Sequence, residues 1–388
     1  MPETRSLGPL LDPHHLALAG EMSRFCAEEI ATLPAPEDDA AARRTAREIL
    51  GRLGRGGWLE YAVPADGRLD RRSCCLIREA LAEVSPLADA VFALQCLGTQ
   101  PIFLGGAAAR QQSWLEGARR GETMVAFAMT ETGAGSDVSG IRTRAEAGAD
   151  GGWSLDGDKQ LISNAGIADL YLVLAVTEPD NEPPGLSWFA VPGDAEGLSF
   201  VGPQILSEPH PLGKVAFAAC QVPGEALVGE RSGGFKLGMG TLNRLRPTVA
   251  AAACGMAARA LREAIAHAGE RRQFGRSLDR FQLTQQKLAV MATELDAARL
   301  LTYRAAWSGD GGDGDGPKLS AMAKWYATEA AQRIVDQSVQ IHGGLGVLQE
   351  STVERLYRAV RALRIYEGAT EIQQLIVARE LLAEPSPG

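Results

Sequence analysis

The 388-residue chain has no surplus of positive charge: 39 lysines and arginines stand against 48 aspartates and glutamates, a net charge of −9. No general basic field is available to attract a nucleic-acid backbone, so nucleic acid is not an expected partner. Paired cysteines are missing too. The six present, Cys26, Cys74, Cys75, Cys96, Cys220 and Cys254, show no Cys-x-x-Cys and no Cys/His spacing. No metal is therefore expected, and the thiols read as small buried hydrophobes in a reducing, cytoplasmic compartment. No uninterrupted apolar run approaches twenty residues, and Met1 to Gly20 has no basic patch followed by an apolar stretch. Neither membrane spanning nor export is expected.

What is there is ordinary for a globular protein, with 45% apolar and 22% charged residues, which excludes disorder and collagen-like repeats for most of the chain. The length allows two to three domains or one composite unit. Glycine is the unusual count, at 44. Such positions either end helices or let backbone approach something closely.

From about Ala17 to Arg120 the pattern is helical, with apolar residues three and four apart. Gly51, Gly54, Gly56, Gly57, Pro64 and Gly67 are expected to break it into separate helices. The middle reads as strands: Trp153 and Leu155 with an Asp156-Gly157 turn, Leu170 to Val176, Leu186 to Val191, and Val215 to Val222. After Gly233-Gly234 the helical period returns. Leu288, Met291, Leu295, Ala298, Leu301 and Ala305 mark one buried face, with Glu294, Arg299 and Arg304 pointing elsewhere. Ser308 to Pro317 reads as a flexible acidic loop, before a second long helix from about Lys318 to Ile341. The expected class is α+β by segregation: a helical segment 1–122, a β segment 123–231 and a helical segment 232–388, not a Rossmann sheet.

Four segments could carry chemistry. Ala128-Met-Thr-Glu-Thr-Gly-Ala-Gly-Ser-Asp137 combines uncovered amides at Gly133 and Gly135 with the hydroxyls of Thr130 and Ser136. That suits an anion such as pyrophosphate, or simply a turn. It contains no Walker A lysine and no complete Gly-x-Gly-x-x-Gly fingerprint. Glu270-Arg-Arg-Gln-Phe-Gly275, followed by Gln282, offers an arginine fork and an aromatic ring, or a charged helix end closed by glycine. Gln340-Ile-His-Gly-Gly-Leu-Gly346 has more glycine than a helix stop needs, and its His342 lacks a second ligand and reads as structural. In Arg364-Ile-Tyr-Glu-Gly-Ala-Thr-Glu-Ile-Gln373, Glu367 sits in an apolar frame where desolvation would raise its pKa toward that of a base near neutrality. A solvated helix-end glutamate is the alternative.

Together and in this order, over about 240 residues, the four segments resemble the acyl-CoA dehydrogenase family, in register with Val222-Pro223, Gly233-Gly-Phe235, Leu245-Arg246-Pro247 and Leu288-Ala-Val-Met291. The resemblance implies an N-terminal helical domain, a sandwich- or barrel-like central β domain and a C-terminal four-helix bundle, assembled as a homotetramer, a dimer of dimers, that binds FAD. Carried over residue by residue, it implies that Phe127, Met129, Thr130, Gly135, Ser136, Leu161 and Ser163 contact FAD. Arg271, Phe274, Gln282, Gln340 and Gly344 would reach the FAD of a neighbouring subunit. Ser136, Asn243, Arg246, Tyr366 and Gly368 would contact an acyl-CoA substrate, and Glu367 would be the catalytic base. The implied reaction is α,β-desaturation of the thioester to the trans-2-enoyl form, with electron-transfer flavoprotein as the electron acceptor.

Departures from the family pattern are Leu161 for tryptophan, Ala369 for threonine and Ala359 for aspartate; the alternative position for the base is Leu245. An acyl-carrier-protein substrate, an acyl-CoA oxidase and a non-catalytic scaffold of the same fold are the rival readings. The chain ends soon after Arg379, and the additional domain usual in oxidases is not expected.

Overall fold

The computed structural model describes residues 5–106, 109–149, 151–311 and 316–383. In chain order these form α1 (Pro13–Phe25), α2 (Asp39–Arg55), α3 (Leu59–Ala62), α4 (Arg71–Val84), α5 (Pro86–Gly105) and α6 (Ala109–Arg120). The strands β1 (Val125–Ala128), β2 (Arg144–Ala147), β3 (Trp153–Ser163), β4 (Leu170–Glu178), β5 (Gly185–Pro192), β6 (Leu198–Pro203), β7 (Leu212–Val222) and β8 (Leu227–Val228) follow. Helix α7 (Gly234–Glu270), strands β9 (Arg272–Gln273) and β10 (Arg276–Ser277), and helices α8 (Gln282–Gly311), α9 (Gly316–His342), α10 (Thr352–Leu363) and α11 (Thr370–Ala383) complete the chain. The chain packs as two units: Met1–Thr32, Asp70–Asp89 and Asn243–Gly388 make one, and Leu33–Leu69 with Ala90–Leu242 the other.

The first unit is helical, with an alanine-rich core. Ala253, Ala257, Ala260 and Ala264 of α7 pack with Met291 and Leu295 of α8 and Ala323, Ala327 and Ala331 of α9. Small side chains allow close approach: a Cβ on Gly255 of α7 would lie 2.1 Å from the Glu79 carbonyl on α4. Two expectations are corrected here. Arg299 does not point away from the buried face but is itself buried, because the buried Glu79 carboxylate needs a counter-charge; Arg299 Nε meets it at 2.7 Å, and the Tyr303 hydroxyl donates to its other oxygen at 2.8 Å. The Ser308–Pro317 loop is also shorter than expected. Helix α8 persists to Gly311 because Asp310 accepts the Arg71 N–H (2.9 Å) and pairs with Arg72 (3.0 Å), while α9 already begins at Gly316; residues 312–315 lie outside the described residues.

The second unit is built on a sheet of order β6-β7-β3-β2-β4-β5-β8, with β1 parallel to β4. Its core includes Trp153, Leu155, Val173, Phe189, Val215 and Phe217. The alternating and continuous apolar runs of the sequence become these strands, since one or both faces are buried. Asp156-Gly157 is not a turn. It lies inside β3 at a register shift, where Gly157 has φ 141° and its absent Cβ leaves room for Thr143 Cα, which would be 2.7 Å away. Gly51 and Gly54 likewise do not break α2. A Cβ on Gly54 would lie 2.1 Å from the Arg120 carbonyl, so this glycine serves packing rather than termination. Gly57 (φ 75°) and Gly67 (φ 71°) do mark breaks. Helix α5 is long and apolar enough to cross a membrane, but 78% of that window is buried within the protein, as in a core helix.

Candidate active site

In the second unit, β1 delivers the chain into the loop 129–137. Met129 O accepts from Lys159 Nζ (3.2 Å) and Thr130 O from the Gln160 N–H (2.9 Å), so this loop is anchored on β3. Lys159 also pairs with Glu131 at 2.7 Å, both buried, and Glu131 accepts the N–H groups of Arg142 and Thr143. Burial lowers the Lys159 ammonium to about 8, against the opposing pull of Glu131. A Cβ on Gly133 or Gly135 would meet nothing within 4 Å. Neither has positive φ, so nothing in the chain demands glycine there; the space is open to something outside it. Ser136 beside them is exposed. Phe127 is half-buried against Trp188, with ring centroids 4.6 Å apart. Leu161 lies within a register shift of β3 with φ 55°, is 50% exposed and is held by Gln204 Oε1 accepting its N–H at 2.6 Å. Ser163 Oγ lies 2.7 Å from His210 Nε2; burial drives that imidazole down to about 4, so it is neutral at pH 7.

In the first unit, Arg271, Phe274 and Gln282 share one local structure that was not foreseen. Beyond α7 the chain forms a β9–β10 hairpin in which Gln273 pairs with Arg276. Its two-residue tip has Phe274 at φ 50° and Gly275 at φ 80°, the signs of a type I′ turn. Phe274 is 93% exposed, and Arg271 and Gln282 are exposed beside it in the chain. Gln340 is exposed near the end of α9, followed by Gly343 (φ 61°) and Gly344, around which a Cβ would meet nothing. His342 is structural: it donates from Nδ1 to the Ser338 carbonyl (2.7 Å) and stacks on His267 at 4.4 Å.

Glu367 lies where α10 ends and α11 begins. Its φ is 52° and that of Gly368 is 96°. Gly368 is required twice over, because a Cβ would also lie 2.3 Å from Gln373 Nε2. Glu367 O accepts from Arg246 Nε (3.2 Å) and Gln373 Nε2 (3.3 Å), while Arg246 Nη1 donates to Asn243 Oδ1. The carboxylate is treated differently: its Oε2 is buried without a hydrogen-bond partner. Burial raises the Glu367 pKa, opposed by Arg78, Lys324 and Arg246 and helped by Asp89. Arg78 is bound by Asp89 at 2.7 and 3.0 Å and by Thr248 Oγ1 at 2.8 Å. The cations are thus engaged elsewhere, leaving the carboxylate able to take a proton.

Of the residues named from sequence, Asn243, Arg246, Tyr366, Glu367 and Gly368 come together in the first unit, and Phe127, Met129, Thr130, Gly135, Ser136, Leu161 and Ser163 line neighbouring segments of the second. Sequence reasoning missed Arg78, Asp89, Lys324 and Gln373. A visible signal existed for Lys324, a charge on the buried stripe Ser320, Ala323, Ala327, Ala331 of α9.

Family models give the same reading of the chain. The acyl-CoA dehydrogenase N-terminal domain matches residues 12–122, the middle domain 126–218 and the C-terminal domain 232–382. A probable acyl-CoA dehydrogenase, fadE25, of Mycobacterium leprae is 35% identical over 378 residues, 96% of each chain. The caffeyl-CoA reductase-Etf complex subunit CarC of Acetobacterium woodii is 34% identical, covering 93% of this chain and 97% of its own. The solved butyryl-CoA dehydrogenase of Megasphaera elsdenii has a TM-score of 0.88 at 30% identity, covering 96% of this chain and 99% of that one. The chain belongs to the acyl-CoA dehydrogenase family. It is an oxidoreductase with the three-domain α+β fold of that family: helical, β, helical. Members of the family are FAD flavoproteins, and the open space over Gly133 and Gly135, with hydroxyls at Thr130 and Ser136, fits that cofactor.

Proposed function

We propose that this protein desaturates an acyl-CoA thioester between its α- and β-carbons, with Glu367 as the base. The observation that carries the reading is the buried, unpartnered Glu367 Oε2 with its raised pKa. Thr130 and the Met129 backbone would hold the flavin's polar edge and Ser136 its pyrophosphate. Phe127, Gly135, Leu161 and Ser163 would line it. Arg271, Phe274, Gln282, Gln340 and Gly344 would reach the FAD of a neighbouring subunit in a homotetramer. Bound FAD supplies the acceptor for the hydride that leaves the β-carbon. The Glu367 N–H polarises the thioester carbonyl and acidifies the α-proton. Glu367 then takes that proton on its carboxylate, leaving the trans-2-enoyl thioester. Asn243, Arg246, Tyr366 and Gly368 frame the substrate side of this base.

A second reading runs the same steps backwards, with protonated Glu367 returning its proton to the α-carbon; the relative named as a caffeyl-CoA reductase favours testing it. That relative is also named as part of an Etf complex, which supports electron-transfer flavoprotein as partner. The six free, buried thiols support a reducing, cytoplasmic setting.

The test is anaerobic loss of flavin absorbance on mixing with straight, branched and cyclic acyl-CoA thioesters and matched acyl-carrier-protein thioesters, plus re-oxidation of the reduced protein by enoyl-CoA. Glu367→Gln is expected to keep FAD and lose roughly 10²- to 10⁴-fold in reduction rate. Reduction at the wild-type rate in that variant places the base elsewhere.

A further inference from the structure

Lys324 has no part in the reaction as described, yet it occupies a demanding position. Helix α9 carries it into the interior, where it is 0% exposed and makes one hydrogen bond, to the Gly368 carbonyl at 2.7 Å. No carboxylate lies within ion-pairing reach among the described residues. A buried ammonium so poorly solvated is costly, and an apolar side chain of the same length would fill the space without that penalty. The ammonium is brought down to about 8 by burial, and Glu367 is the group that most strongly favours its charge, with Glu329 and Glu371 helping and Arg246 opposing.

The turn it touches is strained: two consecutive residues, one of them not glycine, have left-handed backbone. Both carbonyls are fixed from outside the turn, Glu367 O by Arg246 on α7 and Gln373 on α11, and Gly368 O by Lys324 on α9 at 2.7 Å and Gln373 at 2.9 Å. Four donor contacts from three helices therefore set the two peptide planes that flank the Gly368 Cα, Glu367–Gly368 and Gly368–Ala369. The Glu367 carbonyl is bonded to the same Cα that carries the Glu367 N–H and side chain, so fixing it limits how that residue can turn.

We propose that Lys324 is a positioning residue for the desaturation: with Gln373 and Arg246 it clamps the Glu367–Gly368 backbone, and its charge faces the carboxylate that takes the proton. The inference rests on Glu367 being the base. The Lys324 side chain touches no reacting atom; it acts through the backbone and the electrostatics of Glu367.

The test compares Lys324→Met and Lys324→Arg with wild type, each loaded with FAD. Three readouts are measured: flavin content, affinity for 2,2-dimethylbutyryl-CoA, which has no α-proton to lose, and the rate of anaerobic flavin reduction by saturating butyryl-CoA across pH. The methionine variant is expected to keep FAD and bind the inert thioester within threefold of wild type, while reduction slows at least tenfold. Its acidic limb moves to higher pH, because a cation that favours the Glu367 anion is gone; Arg78, Arg246 and Asp89 remain around that carboxylate. The arginine variant keeps the limb in place. Reduction within twofold of wild type overturns the clamp, and so does a rate that falls only in step with lost FAD while the limb stays put. Should the methionine variant fail to accumulate, Gln373→Met removes two of the four contacts and keeps the lysine. It is expected to lose tenfold in rate with little change in inert-thioester affinity; a wild-type rate there also overturns the clamp. If no thioester bleaches wild type, the desaturation reading itself fails. If wild type is bleached, Glu367→Gln is inert and Lys324→Met behaves as wild type, only the clamp fails.

Discussion

Replacing Asp89 with asparagine separates the stability of the buried charge cluster from its influence on Glu367. Arg78 and Asp89 are each 2% exposed and meet in a two-pronged contact at 2.7 and 3.0 Å. Breaking a buried pair by neutralising one partner typically costs about 3–5 kcal/mol, because the remaining charge keeps its desolvation penalty. Asparagine can still accept one of the two bonds but sets its amide N–H groups against the guanidinium. Arg78 keeps Thr248 Oγ1 at 2.8 Å. The low end, about 3 kcal/mol, is therefore expected in a denaturant titration.

The same substitution has a signed effect on the base. Asp89 raises the Glu367 pKa and Arg78 lowers it. Removing the aspartate charge leaves Arg78 less neutralised, so Glu367 ionises at lower pH. In the proposed reaction Glu367 acts in its deprotonated form, and the acidic limb of anaerobic flavin reduction should then move down in pH. This is opposite to the shift expected for Lys324→Met. A limb that stays or rises, together with a stability loss under about 1 kcal/mol, would refute both the buried-pair argument and the electrostatic frame drawn around Glu367.

Two further substitutions and one stability measurement probe other parts of the site. Gly368→Ala places a side chain at φ 96° and 2.3 Å from Gln373 Nε2; about 1–3 kcal/mol of backbone strain is expected, with flavin reduction slowed more than tenfold and FAD retained. Wild-type turnover in that variant would show that the turn tolerates movement. Lys159→Met leaves Glu131 without its cation and frees the Met129 carbonyl, so roughly 3 kcal/mol of stability and much of the bound FAD should be lost, read from the ratio of flavin to protein absorbance. Full FAD occupancy at unchanged stability would separate the ion pair from the loop. Glu367→Gln carries a stability signature beside its kinetic one. A carboxyl whose folded pKa lies above its unfolded value contributes stability below the unfolded value and loses it as pH rises through the folded one. The glutamine variant should therefore gain on wild type toward neutrality and lose that gain on acidification below about pH 4.

Much of the architecture was legible because its cause is local. The strands from Trp153 to Val222 show in apolar patterning, and α8 in the three-four rhythm of Leu288, Met291, Leu295, Ala298, Leu301 and Ala305. What failed was every inference in which a residue type has two uses. Glycine at positions 51 and 54 reads as a helix break, but at Gly54 the cause is the Arg120 backbone, far away in sequence. Arg299 reads as a solvated charge, but Glu79, 220 residues earlier, draws it inside. Arg78, Asp89 and Lys324 were missed for the same reason, since a buried charge looks like a surface charge until its partner is in place. The apolar stripe around Lys324 was the only local warning.

The backbone shows a second kind of illegibility, and it concerns the site most directly. Among the described residues, six that are not glycine have positive φ: Leu161, Asn164, Ala219, Ser232, Phe274 and Glu367. Three of them, Leu161, Phe274 and Glu367, are residues that the family resemblance implies for the site. Local propensity argues against each, because glycine would hold the same backbone more easily, and such a position costs about 1–3 kcal/mol. Leu161 and Phe274 accept that strain while exposing an apolar side chain, and Glu367 while burying a carboxylate oxygen with no partner. Among the described residues the Phe274 ring meets only the edge of Phe281, at 6.4 Å between centroids, and the Glu367 Oε2 meets no hydrogen-bond donor. The side chain itself is what glycine could not supply; in the proposed function, the Leu161 and Phe274 side chains would meet an aromatic cofactor surface and that of Glu367 the α-proton of the substrate.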